Sequence, residues 1–210
     1  MATLQGQTIA GSYKDLLQVS NSNSGVDTTA RAVEDGEGTA TLLYLSTTEV
    51  YNPGTGGTSN TAFGKNAGDA LASGGNYNAV FGEDAGTAIT TGDNNIAIGY
   101  QAGDALNIGG DNVAIGSGAL TTEDVGDRAI AVGTNALFSQ NSDLDNEDSL
   151  NVGIGHAAGY YNVIGQNNTY IGGFAGTGAS GQSHSGNTAL GSKALQSVTT
   201  GSHNAVVGSQ

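Results

Sequence analysis

One glycine recurs along this chain at an almost fixed interval. In the pattern Asn-x-Ala-x-Gly it falls at Gly64, Gly82, Gly99, Gly116, Gly133, Gly155, Gly172, Gly191 and Gly208, nine copies in all. Eight copies open with Asn: Asn60, Asn78, Asn95, Asn112, Asn151, Asn168, Asn187 and Asn204; Ala129 takes that place in the fifth. Successive glycines lie 18, 17, 17, 17, 22, 17, 19 and 17 residues apart. A fixed period with loop-sized departures marks a stacked repeat, whose units bury their apolar faces against their neighbours. The segment before each glycine is short, alternating and rich in Phe, Ile, Val and Leu, which favours a strand over a helix. The expectation is an all-β, parallel β-solenoid (a β-roll) of about nine 17-residue coils over residues 58–210.

Neighbouring strand residues point to opposite faces. One face receives pairs such as Ile96 and Ile98 or Val113 and Ile115, and the other receives mainly small residues. We expect the bulky face to fill the inside of the coil. The small face, carried by Ala62, Ala97, Ala114, Ala131 and Ala189, then needs a partner, because a strand apolar on both faces is usually covered on both. That expectation makes the chain a homo-oligomer, a homotrimer by analogy with fibrous β proteins, with those alanines at the interface.

After each glycine comes a segment with one aliphatic anchor, such as "QAGDAL", "SGAL" or "TNAL", and then a turn such as "ITTGDN". Gly accepts the positive φ of sharp turns, and Asn at one place in successive coils can stack as a hydrogen-bonded ladder. Each coil should advance by about 4.8 Å.

Composition narrows the function. Only 37% of residues are hydrophobic and 6% aromatic, with 36 Gly and no Trp, too little bulk for a conventional core. A single Pro excludes collagen. The formal charge of −14 argues against nucleic acid and anionic lipid as partners, and no apolar run reaches membrane-spanning length. The absence of Cys removes disulfides and thiolate metal sites. "MATLQGQTIAGSYKD" lacks the charged and apolar regions of a secretory signal.

The stretches "NNIAIGYQAG" and "TTGDNNIAIG" resemble the head repeats of trimeric autotransporter adhesins, and more closely the related repeats of bacteriophage tail fibres. The resemblance covers about residues 58–210. It implies a trimer of parallel β-rolls serving as scaffold, and it names no ligand. The period of mostly 17 residues is longer than the adhesin unit, and no membrane-anchoring segment is visible, which favours a virion protein over a bacterial surface adhesin.

Residues 1–57 carry no such period. "DGEGT" reads as a hairpin turn between "TTARAVE" and "ATLLYLST", while "SYKDLLQV" fits a strand or one short helix. This β-rich module is similar to the collar-like modules of phage fibres, and Pro53 in "YNPGTGG" marks the join. Capping the first coil and attachment to the virion are its expected roles.

Candidate chemistry is sparse. The longest spacing holds "SQNSDLDNEDSL", where Asp143, Asp145, Glu147 and Asp148 offer oxygens that Ca²⁺ would accept; a solvated acidic loop is the plainer reading, and no cofactor is otherwise expected. Asp93, Asp111, Glu123, Asp124 and Asp127 occupy turn positions, as solvated turns would. A glycan-cleaving solenoid needs a pair of carboxylates positioned in a cleft, whereas these acids repeat with the coil, and long aromatic-lined loops for sugar stacking are absent. His156, His184 and His203 are expected to face solvent. Tyr160, Tyr161 and Tyr170 fill space at a widened coil or offer a sugar-stacking patch. An ice-binding face is set aside because Thr61, Thr169 and Thr188 fall on the face assigned to the core. The reading is a non-enzymatic structural fibre protein of a phage virion, its partners being itself, other virion proteins and a host surface glycan or protein. A bacterial adhesin and a glycan depolymerase are the alternatives.

Overall fold

A computed structural model describes residues 18–19, 31–34, 40–45, 50–51, 57–71, 74–145 and 147–209. The chain divides into two compact units, Met1–Gly54 and Thr55–Gln210. In the first, β1 (Gln18–Val19), β2 (Arg31–Glu34), β3 (Ala40–Leu45) and β4 (Val50–Tyr51) form an antiparallel sheet in chain order. The hairpin expected around "DGEGT" is the β2–β3 pair, with Arg31 opposite Leu45 and Glu34 opposite Ala40. Of "SYKDLLQV", Gln18–Val19 is strand; the other residues of that stretch lie outside the described residues.

The second unit is a parallel β-solenoid without a helical residue among those described. Its nine strands are β5 (Thr61–Phe63), β6 (Ala79–Phe81), β7 (Ile96–Ile98), β8 (Val113–Ile115), β9 (Ile130–Val132), β10 (Val152–Ile154), β11 (Thr169–Ile171), β12 (Thr188–Leu190) and β13 (Ala205–Val207). They form one sheet in chain order. Register never slips: Ala97 lies beside Ala114, and Ala114 beside Ala131. Even the 22-residue spacing keeps Gly153 beside Ala131.

The structure corrects which face is inside. Counting each coil from its Asn position as the first residue, the third residue points into the coil. Ala62, Ala97, Ala114, Ala131 and Ala189 are 0–1% exposed within the single chain, so they are coil interior and are not available as an interface between copies. The second and fourth residues face out, and Ile96, Ile98, Ile130 and Ile154 are 37–38% exposed. The reason is room. A three-residue strand has one inward and two outward side chains, and the opposite wall of the thin coil already delivers an Ala at the eighth position, buried in all eight copies from Ala67 to Ala194. A large side chain at every third position would overpack this space.

One large aliphatic per coil completes the filling in most coils, and it enters at either of two places. Where the ninth residue is Gly, the twelfth is the anchor: Leu71, Ile89 and Leu106 are buried. A Cβ on Gly68, Gly86 or Gly103 would sit 2.7–2.8 Å from the Cδ1 of that anchor. Where the ninth residue is itself Leu, as at Leu120 and Leu137, the twelfth is polar, Glu123 and Gln140, and all four are buried. Leu120 and Leu137 keep the left-handed backbone, with φ of 52° and 48°. That costs an L-residue about 1–2 kcal/mol, which burial of a Leu side chain, about 1.5–3 kcal/mol, offsets.

Coils are joined by an asparagine ladder. The Oδ1 of Asn60 accepts from Asn78 N–H (2.8 Å), that of Asn78 from Asn95 N–H (2.8 Å), and that of Asn95 from Asn112 N–H (3.0 Å). The same link runs from Asn151 to Asn168 and on to Asn187 and Asn204. Each side-chain N–H of the ladder also holds a turn: Asn78, Asn95 and Asn112 donate to the carbonyls of Gly92, Gly109 and Gly126, each at 2.8 Å. Ala129 interrupts the ladder where the spacing reaches 22 residues. There Gln140 enters the core, and its Oε1 accepts from Asn151 Nδ2 at 2.6 Å.

The glycine column has a steric cause. At the nine repeat glycines φ is 127–142°. At each of the first eight, an added Cβ would come within 2.3–2.7 Å of the stacked glycine's backbone. Gly116→Ala should therefore lower Tm by roughly 5 °C or more, since strain of this kind costs about 1–3 kcal/mol before any clash. Gly173→Ala, where a Cβ would meet nothing within 4 Å, should leave Tm nearly unchanged; equal thermal shifts by circular dichroism would contradict the stacking. Likewise, Asn95→Ala strands two buried backbone groups and should cost roughly 2–4 kcal/mol in denaturant unfolding. Asn204→Ala, at an exposed coil, should cost much less.

Candidate functional site

The outward sheet face of the solenoid carries two columns of side chains. Its fourth-position column reads Phe, Phe, Ile, Ile, Val, Ile, Ile, Leu and Val from Phe63 to Val207. Its second-position column reads Thr, Ala, Ile, Val, Ile, Val, Thr, Thr and Ala from Thr61 to Ala205. Phe63 and Phe81 stack along it with ring centroids 5.6 Å apart. Thr61, Thr169 and Thr188 are thus outward, contrary to the core assignment used to set aside ice binding. They lie beside Phe63, Ile171 and Leu190, so the strands present single threonines next to large apolar groups, with no paired Thr columns.

The acidic loop does not gather its carboxylates. Asp143 and Asp145 are exposed. Glu147 Oε1 accepts from Gln166 Nε2, and Asp148 pairs with Arg128, which also lies 3.8 Å from Asp111. Among the described residues no three His, Cys, Asp or Glu side chains are placed to share a metal ion. Gln166, on the next coil, holds Glu147, an arrangement the sequence reading missed.

Several turn acids are not simply solvated, which corrects the sequence reading. Asp93 Oδ1 accepts from Asn76 N–H and Asp127 Oδ1 from Gly110 N–H, both at 2.7 Å, so each clips its turn to the previous coil. Glu123 is fully buried. Its Oε1 accepts from the backbone N–H of Gly126 (2.8 Å) and Ser142 (3.1 Å), and its Oε2 accepts from Ser142 Oγ (3.1 Å). It therefore anchors the start of the acidic loop.

His156 and His203 are exposed, but His184 is buried, which overturns its solvent-facing expectation. It stands three residues before Asn187, where most coils have Gly, and its ring turns inward. Its Nδ1 lies 2.6 Å from the hydroxyl of Tyr170, which fills a third-position site otherwise held by small residues. Gly159 and Gly176 make the space: a Cβ on either would come within 2.9 Å of the Tyr170 ring. Burial pushes the Tyr170 hydroxyl pKa up and the His184 pKa down. The Nε2 of His184 is buried without a partner among the described residues. Tyr160 and Tyr161 are half-buried. Phe138 and Tyr160 stack ring on ring at 4.9 Å and 6°, so these two rings turn faces to each other that a sugar would need. The Tyr160–Tyr161 pair is edge-on at 4.6 Å.

His184 sets a pH dependence. Its folded pKa lies below the usual value, so above about pH 6.5 folded and unfolded chains both hold it neutral. As pH falls below that, the unfolded chain takes the proton first and stability drops, by at most about 1.4 kcal/mol per pH unit. Between pH 7 and pH 5 the wild type should lose more unfolding free energy than His184→Gln. Parallel curves for the two proteins would contradict this.

No helix among the described residues is long and apolar enough to cross a membrane. Compared with protein-family models, curated proteins and solved structures, the chain matches none.

Proposed function

We propose that this chain is a structural fibre protein of a phage virion, a stiff homotrimeric rod that projects from the tail or capsid and spaces or presents a host-contacting end. The observation that carries the reading is the uninterrupted in-register sheet of nine strands. Every coil repeats the same three-residue strand, and its length adds about 4.8 Å to the rod, roughly 40 Å in total. Backbone pairing, stacked glycines and the asparagine ladder all run along one direction, which resists bending and shear. Polar side chains of the coils serve the coils themselves: the buried Glu123 holds a loop, and the half-buried Asp93 and Asp127 clip turns. The rod is assigned no catalytic work. Attachment to the particle is assigned to residues 1–57, whose sequence is unique where the coils are interchangeable. The far end of the rod meets a host surface glycan or protein.

Labelling purified particles with an antibody raised against residues 58–210 should mark a discrete appendage. Inserting four extra copies of residues 95–111 should lengthen that appendage by about 20 Å with particles still assembled. A chain lacking residues 1–57 but retaining its strand content should fail to join particles. Labelling confined to a bacterial surface would instead favour the adhesin.

A further inference from the structure

We propose that the solenoid is built as two cooperative segments, residues 60–150 and 151–210, and that mild acid opens the second while the first stays closed. Three seams coincide between the fifth and sixth coils, and every histidine of the chain lies on one side of them. The device does not depend on where the rod is mounted.

The first seam is in the ladder. Ala129 supplies no side-chain acceptor to the sixth coil. Gln140 Oε1 spans the gap through one bond to Asn151 Nδ2, and its Nε2 is buried without a partner among the described residues. The second seam is in the core. Buried apolar side chains form one cluster from Ala62 to Leu137 and another from Ala158 to Ala194. Between them the third position of the sixth coil is Gly153, which has no side chain to join the two. The third seam is in the charge. Residues 60–150 hold thirteen Asp and Glu against Lys65 and Arg128, whereas residues 151–210 hold no acid, one cation at Lys193, and all three His. Strand pairing continues from β9 to β10, so the segments stay in register while the side-chain coupling between them weakens. Cooperativity in a stacked repeat depends on such nearest-neighbour terms, and weakly coupled coils open separately.

Titration then falls on one segment. His184 gives its Nδ1 to the Tyr170 hydroxyl, its N–H to Asn162 Oδ1 and its carbonyl to Asn168 Nδ2. Its Nε2 lies so close to Gly178 that a Cβ there would come within 2.7 Å of it. Its own coil and the coils on either side hold no Asp or Glu; their titratable groups are Tyr160, Tyr161, Tyr170, Lys193 and the exposed His156 and His203. Glu147, from the fifth coil, reaches Gln166, whose Nε2 donates to its Oε1. A second proton on His184 therefore buries a charge with no opposite charge beside it. The opened segment gives that proton to water-exposed imidazole, so acid favours opening below about pH 6.5. The first segment has no His, and carboxylates ordinarily titrate near pH 4, below this window. Asp104, which burial raises, takes its proton more readily in the closed coil, so acid steadies that coil.

The chain has no native Cys, so single buried cysteines report opening. Ala102 and Ala175 share the eighth position, are fully buried, and lie in the third coil from either end. Full-length Ala102→Cys and Ala175→Cys are labelled with dithiodipyridine in native buffer, each rate divided by that of the same variant in denaturant at the same pH. From pH 7 to pH 5 the ratio for Ala175→Cys should rise by roughly ten- to thirtyfold, and that for Ala102→Cys by less than about twofold. Ala189→Cys, buried in the next coil, should follow Ala175→Cys. Added to Ala175→Cys, His184→Gln should abolish the rise, and His156→Gln with His203→Gln should preserve it. Equal rises at Ala102→Cys and Ala175→Cys, no rise at Ala175→Cys and Ala189→Cys, or a rise that survives His184→Gln would each overturn the proposal. If His184→Gln does not fold, the variant lacking both exposed histidines decides: a preserved rise supports the device and a lost one overturns it.

Discussion

The side-chain amide of one asparagine per coil does what no backbone group can do at that point. The residue before it is left-handed in every coil, from Ser59 to His203, and is Gly only at Gly186. For an L-residue that conformation costs about 1–2 kcal/mol, and it turns the chain sharply enough that a buried N–H and a buried turn carbonyl lose their ladder partners. The Asn amide supplies an acceptor to the first and a donor to the second. Buried groups of this kind cost about 1–3 kcal/mol each when unmet, so the amide outweighs the strain of the corner. Because the acceptor belongs to one coil and the donor to the next, closing a corner also sets the register between coils. The glycine column follows from that register: once coils stack in phase, the repeat glycines lie on one another, and a Cβ has no place to go.

A coil closed this tightly has a narrow interior, and the core is built by exchange within a nearly constant volume. Ala fills the eighth position in all eight copies and the third in five of nine, and the one large side chain moves. It sits at the twelfth position in the early coils, at the ninth in the fourth and fifth, and at Tyr170 with His184 farther on. Each move leaves a compensating change: Gly opposite Leu or Ile, a polar residue at the vacated twelfth position, or Gly159 and Gly176 around the tyrosine ring. Glu123, Gln140 and His184 are products of this exchange. Each finds hydrogen-bond partners in its own or adjacent coils, which makes the polar residues of the interior organisers of the fold.

The period, the strand positions, the glycine column and the asparagine ladder were legible because each depends on a residue type that stereochemistry almost compels. The side of the strand that faces inward was not. Alternation separates two faces but carries no label for the inside, and bulk is a sound guide only where the interior is wide. In a 17-residue coil the backbone itself occupies most of the cross-section, so Ala97 goes in and Ile96 goes out. The alanines are accordingly unavailable as an interface between copies. Two signals for the rebuilt core were present in the chain: "SGAL" and "TNAL" bring Leu three residues closer to the buried Ala than "QAGDAL" does, and His184 breaks a column held mostly by Gly. The engagement of Asp93 and Asp127 across coils depends on turn geometry that side-chain chemistry alone does not specify.

An account in which side-chain amides lock each coil to the next is tested most directly by residue-resolved hydrogen exchange in the native state. The backbone amides of Asn78, Asn95, Asn112, Ala129, Asn168 and Asn187 donate to an asparagine Oδ1. The amide of Asn151 follows the Ala129 interruption and has no such acceptor in the coil before it. Slow exchange at the first six and markedly faster exchange at Asn151 is the predicted result. Equal protection at Asn151, or ladder amides exchanging as fast as exposed turns, would contradict it.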